Sequence, residues 1–342
     1  CADNDFGWMQ GYDKWFAAMH NRMDEPYNLP ESVGTESGRE MMKNYLWNHC
    51  GDPDFHGGGI VGIGVASTGD LMSIASTPAN DAAGVTGKKA IRSWGTQVDH
   101  AQTIVGYDDR VEFDLNGNGI YGEKDADEVG AWIVVNSWGT GWGDGGFAYC
   151  PYAWAGPRFK EENGKKVFDA GNFWYGEIYP VRKNYRPLRT IKLLMEYSRR
   201  SELSLSAGVS ADLNAETPER SIPFEHFKYA GDGNYGNTVP APEVPMLGRW
   251  ADGMHYEPME FGYDLTDLTA SFDKSQPLKY FFIIETKGTA VGTGRVHAAS
   301  IIDYEEVLAG IETPFDLAAD GVEIKNAGEK TVITVVVHGQ AY

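Results

Sequence analysis

His100, in VDHAQTIVGYD, and Asn136, in WIVVNSWGTGWGDGGFAYC, are the residues whose types and settings suit them to act as a catalytic pair. An imidazole takes a proton from a thiol nucleophile and later returns it, while an amide oxygen fixes the orientation of the ring. His100 opens a short apolar run over residues 101–106, and Asn136 closes another over 132–135. Two neighbouring strands would carry both side chains to one end of a sheet. A histidine alone beside a strand reads as a packed core residue, and it is the asparagine segment that argues for chemistry.

The two segments resemble the paired motifs of the papain family, D-H-A-x-x-x-V-G-Y and N-S-W-G-x-x-W-G-x-x-G. The second agrees at Asn136, Ser137, Trp138, Gly139, Trp142, Gly143 and Gly146. The resemblance implies a papain-like cysteine peptidase in which His100 is general base and acid, Asn136 orients it, and Trp138 shields the hydrogen bond between them from water. A dry hydrogen bond is electrostatically the stronger one. Residues 60–66 resemble the strand before the histidine, and residues 1–15 resemble the segment after the active-site helix of that family. On that reading Gly11 pairs with an extended substrate peptide, and Asp99, Trp138 and Trp142 also border the substrate. The sequence departs from the family at Trp8, Met9 and Gln10.

The nucleophile expected from the resemblance lies in a C-G-S-C-W-like stretch roughly 130–150 residues before the histidine and asparagine. Cys1 is too close to His100 and is not followed by a helix-forming run. Cys50 sits in a Gly/Asp/Pro-rich loop, where no helix dipole would lower its pKa. The sequence therefore points to a nucleophile upstream of residue 1, on a segment that would be a partner of this chain. The alternative is a non-catalytic binding or adhesion protein that keeps the papain scaffold. A third option is a processed two-chain enzyme tied through Cys1. Cys50 with His49, Asp52 and His56 matches no defensible zinc spacing and reads as an ordinary polar loop.

Between the two motifs, Asp114 to Asp125 spells DLNGNGIYGEKD, which fits the calcium-loop pattern D-x-[DN]-x-[DN]-G with an acid at position twelve. Asp114, Asn116, Asn118 and Asp125 would supply side-chain oxygens, Ile120 a backbone carbonyl, and Gly119 the turn. An Asn-Gly turn is also a common hairpin signal. The acids at both ends favour Ca2+ in a structural role.

The elements that must position these residues read as an α+β order. Trp15, Phe16, Met19 and Met23 recur at helical spacing, and Glu40, Met41, Met42, Tyr45 and Leu46 suggest a second helix. Short β-like runs follow from Gly57. The polar, proline-containing stretch YPVRKNYRPLR marks a domain boundary. The expected organisation is a papain-like domain over 1–183, a β-sandwich or jelly-roll domain over 187–306, and a further β segment over 307–342. The aromatic residues Trp250, His255, Tyr256, Phe261 and Tyr263 read as core more readily than as a ligand surface.

The 342 residues carry a net charge of −20 with no long basic stretch, which argues against nucleic acid and anionic membrane surfaces as partners. No apolar run reaches the roughly 20 residues that span a bilayer. Three cysteines are too few for a disulfide framework. A peptide or protein substrate is the expected partner. By analogy with β-appended peptidases, the expected location is extracellular or the cell envelope.

Overall fold

The computed structural model describes the chain except residues 1–6, 54–56, 68, 96–97, 156–157, 163–164, 170–172, 174–175, 229–243, 274, 306 and 339–342. Cys1 and His56 lie outside the described residues. The chain divides into two compact units: Met23–Val181, and Cys1–Arg22 together with Arg182–Tyr342.

The Met23–Val181 unit is built on an eight-stranded, mostly antiparallel sheet. At its centre, strand His100–Glu112 lies between Val61–Val65 and Val129–Val135, which in turn pairs with Phe147–Pro151. Alternation sets the core face: Val61, Ile63 and Val65 are buried, while Gly62 and Gly64 between them are not. Helix Glu36–Asn48 starts at Thr35, whose side chain accepts from the Gly38 amide. Its Met42 and Leu46, one turn apart, join the cluster of Val61, Ile63, Ile104, Trp132 and Val134. The strand carrying His100 is longer than the apolar run at 101–106, because YDDRVE continues pairing with Val129–Val135 across bulges.

In the other unit, one sheet holds strands Met259–Asp264, Arg189–Tyr197, Gly294–Asp303 and Ile311–Pro314, with Val322–Glu323 beside Gly294–Asp303. A second holds Arg220–Lys228, Leu203–Ser210, Leu278–Thr286 and Lys330–Val337. Buried residues of both sheets form one apolar cluster, from Ile191 and Leu193 to Leu205, Phe282 and Ile333. Arg189, almost fully buried, is held by Asp303 at 2.6 Å and the Tyr280 hydroxyl at 2.7 Å.

Two expectations about organisation change. The first 22 residues cluster with the later strands rather than with the His100 sheet. The reason is a run of specific bonds: the Gly11 amide donates to the Glu260 carbonyl, Gln10 exchanges bonds with Pro258 and Glu260, and the Tyr12 hydroxyl meets Thr190 and Tyr304. Residues 307–342 do not begin a separate domain. Lys330–Val337 pairs along its length with Leu278–Thr286, and Ile333 and Val337 enter the shared core.

Candidate functional site

His100 begins its strand opposite Val65, and Asn136 follows the last residue of strand Val129–Val135. The imidazole Nε2 lies 2.9 Å from Asn136 Oδ1. An amide oxygen only accepts, so Nε2 carries the proton and donates, and Nδ1 is the nitrogen with a free lone pair. Asn136 is 7% exposed, so this bond is made largely out of water. The Trp138 indole stacks on the imidazole, with ring centroids 5.1 Å apart and planes 27° apart. One nitrogen is thus engaged by Asn136, one ring face is covered by Trp138, and the other nitrogen takes no part in either contact.

The loop after Asn136 fixes it through backbone geometry. The Asn136 amide donates to the Gly146 carbonyl, the Gly146 amide to the Trp142 carbonyl, and the Trp142 amide to the Gly139 carbonyl. Gly143 has φ of 56°, and a Cβ there would fall 2.1 Å from the Phe147 carbonyl oxygen. Only glycine closes this turn without displacing the strand that follows. Trp142 packs against the core cluster of the unit, so its ring serves the loop's footing.

Asp99, just before His100, is held by the segment after strand Val61–Val65. Its carboxylate accepts from the Ser67 amide at 2.6 Å and the Ser67 hydroxyl at 2.9 Å. The backbone bond from Ser67, then the hydroxyl bond, hold this carboxyl below the usual carboxylate range. Gly64 pairs with Ala101, one residue beyond His100, and both are exposed, as is Val98 at 63%.

The described cysteines do not supply a nucleophile. Cys150 is fully buried opposite Trp132, and burial pushes its thiol well above the ordinary range. Cys50 is exposed, with its sulfur 3.9 Å from the Met41 carbonyl oxygen. Gly11 belongs to the other unit, where its amide is spent on Glu260.

In the loop that begins at Asp114, the side-chain oxygens turn inward. Asp114 accepts from the amides of Gly117, Asn118 and Gly119, Asn116 accepts from Asn118, and Asn118 accepts from Ile120. The side-chain amides of Asn116 and Asn118 both donate to Glu123. The fully buried Glu128 accepts from the Leu115 and Asn116 amides and anchors the loop. The acid gathered with the asparagines is therefore Glu123, while Asp125 lies in the turn Lys124–Ala126. No group of three or more His, Cys, Asp or Glu suited to a metal occurs among the described residues. Sequence reasoning missed Glu123 and Glu128 because the pattern reads fixed positions, whereas the backbone turns bring other acids inward.

Residues 72–154 match the model of the papain family cysteine protease. The matched segment holds both His100 and Asn136. It is similar to that family. No curated protein and no solved structure matches the chain. Among the described residues, no helix is long and apolar enough to cross a membrane.

Proposed function

We propose that the Met23–Val181 unit is the histidine-and-asparagine half of a papain-type cysteine endopeptidase, whose nucleophilic cysteine precedes residue 1. The observation that carries this reading is the 2.9 Å bond from His100 Nε2 to the buried Asn136 Oδ1 beneath Trp138. It leaves Nδ1 as the proton acceptor.

In the reaction, His100 Nδ1 takes the thiol proton and the sulfur attacks the carbonyl carbon of the scissile bond. The C–N bond then breaks as the imidazolium gives its proton to the leaving amine. Water, deprotonated by the same nitrogen, attacks the acyl thioester, and the thiol recovers its proton as the acid departs. Asn136 holds the ring through both halves of the cycle and stabilises the imidazolium. Asp99, next to His100 in the chain, and Trp138, stacked on its ring, would border an extended peptide substrate.

Peptide hydrolysis by the full-length polypeptide tests the reading. His100→Ala should abolish turnover, and Asn136→Ala should lower kcat by about two orders of magnitude or more, in the range of lost acid–base groups. Full activity in His100→Ala would refute it.

We also propose the loop from Asp114 as a structural calcium site, on the strength of its oxygen-rich side chains and the Ile120 carbonyl, with Glu123, which Asn116 and Asn118 already meet, as the second acid in place of Asp125. Ca2+ takes about six to eight oxygens in flexible geometry, so binding would draw the Asp114, Asn116 and Asn118 oxygens off the loop amides. Binding to the folded state alone would raise Tm with Ca2+ concentration. An unchanged Tm between millimolar Ca2+ and a chelator would overturn the proposal. The second unit is proposed as a β-sandwich accessory domain.

A further inference from the structure

A polar residue stands where the apolar pattern of the His100 strand calls for a hydrophobic one. Gln102 shares the core face with Ile104 and lies opposite Ile63, and it is 6% exposed. Burying an amide among aliphatic neighbours is unfavourable unless its oxygen and nitrogen find partners. Its Oε1 is buried and makes no hydrogen bond.

The complementary group lies across the strand pair. Thr103 is opposite Val135, so one further step of the antiparallel register sets Gln102 opposite Asn136. The same register carries His100 to Trp138, whose ring it meets. Asn136 uses Oδ1 for His100, and its Nδ2 is buried and makes no hydrogen bond. Of the buried donors without a partner among the described residues, Asn136 Nδ2 is the one that the register sets opposite Gln102. Cross-strand neighbours on one face are separated by about 4.5–5.5 Å between Cβ atoms, within reach of a Gln–Asn bond after a side-chain rotation.

We infer that Gln102 is a positioning residue whose Oε1 accepts from Asn136 Nδ2, locking the amide with Oδ1 toward His100. An asparagine amide is nearly symmetric in shape, so packing alone barely distinguishes its two orientations. Flipped, it would present N–H to the Nε2–H of His100, and the proton arrangement that frees Nδ1 would be lost. A buried acceptor on the far side removes that alternative, because the flip would set two oxygens against each other. The inference rests on the catalytic reading of His100 and Asn136 for its consequence, and on geometry alone for the bond.

The experiment is NMR of the Asn136 side-chain amide in the full-length polypeptide, together with turnover of a peptide substrate. Gln102→Met keeps the length and apolar stem of the side chain and removes the acceptor, while Gln102→Glu restores one. In the wild type, one Asn136 amide proton should exchange with solvent slowly. In Gln102→Met that exchange should accelerate at least about tenfold, and kcat should fall by about tenfold with KM little changed, the loss of roughly one net hydrogen bond. Slow exchange should return in Gln102→Glu. An Asn136 amide that exchanges freely in the wild type overturns the inference even if Gln102→Met fails to fold. So does exchange that is the same in wild type and Gln102→Met. Slow exchange that depends on Gln102 in a polypeptide with no peptidase activity would uphold the bond and sink the catalytic reading.

Discussion

Replacing Gly143 by alanine is expected to cost about 2–3 kcal/mol and to loosen the loop that carries Asn136. The backbone there sits at φ of 56°, where an L side chain costs about 1–2 kcal/mol over glycine. The added Cβ would lie 2.1 Å from the Phe147 carbonyl oxygen, well inside any normal contact, so that oxygen must move. It accepts the Asp144 amide at 2.8 Å, and losing that bond removes about 1 kcal/mol more. Gly141, two residues earlier, has open space around its Cβ position and no positive φ. Gly141→Ala should therefore stay within about 0.5 kcal/mol of wild type. Denaturant unfolding of both variants measures the difference. Because the Asn136 amide is tied to the Gly146 carbonyl in the same turn, Gly143→Ala should also lose turnover. Equal stability of the two variants would refute the claim that this glycine is dictated by backbone geometry.

Two further outcomes follow from the site's surroundings. Asp99 should titrate below the usual carboxylate midpoint of about 3.9, and Ser67→Ala should bring it back up, as followed by carboxyl-carbon NMR. A depressed carboxyl favours the folded state above the unfolded midpoint and loses that contribution as pH falls through the folded one, so the Ser67 latch weakens in acid. An unchanged midpoint in Ser67→Ala would contradict the assignment. A thiol reagent should modify exposed Cys50 in the native protein and reach Cys150 only on unfolding, because Cys150 is buried against Trp132. Mass mapping of native labelling on Cys150 would show that the core opens.

The chemistry-bearing part of the fold is legible in the sequence because its motifs are local. Asn136 to Gly146 is one turn whose glycines, tryptophans and amide bonds all serve the same geometry, so the pattern of residues and the structure carry the same information. Long-range choices are not legible in this way. Trp15 and Phe16 announce an amphipathic helix without saying which sheet receives it. The answer depends on bonds from Gln10, Gly11 and Tyr12 to residues some 180–290 positions away. The extension of the His100 strand past Gly106 was hidden because its charged residues pair through bulges rather than by alternation. Gln102 sits inside the apolar run over 101–106 without a signal of its own, since its meaning depends on the residue opposite. The inward acids Glu123 and Glu128 were concealed by the turn chemistry of the loop.

The most direct test of the account is labelling of the full-length polypeptide with a thiol-directed peptidyl epoxide, followed by mass mapping in wild type and His100→Ala. The account predicts a label on a cysteine preceding residue 1 that is lost or strongly slowed in His100→Ala, because the thiolate depends on the imidazole, while any labelling of exposed Cys50 is the same in both. A label on Cys50 that is lost in His100→Ala, or an upstream label whose rate ignores His100, would contradict it.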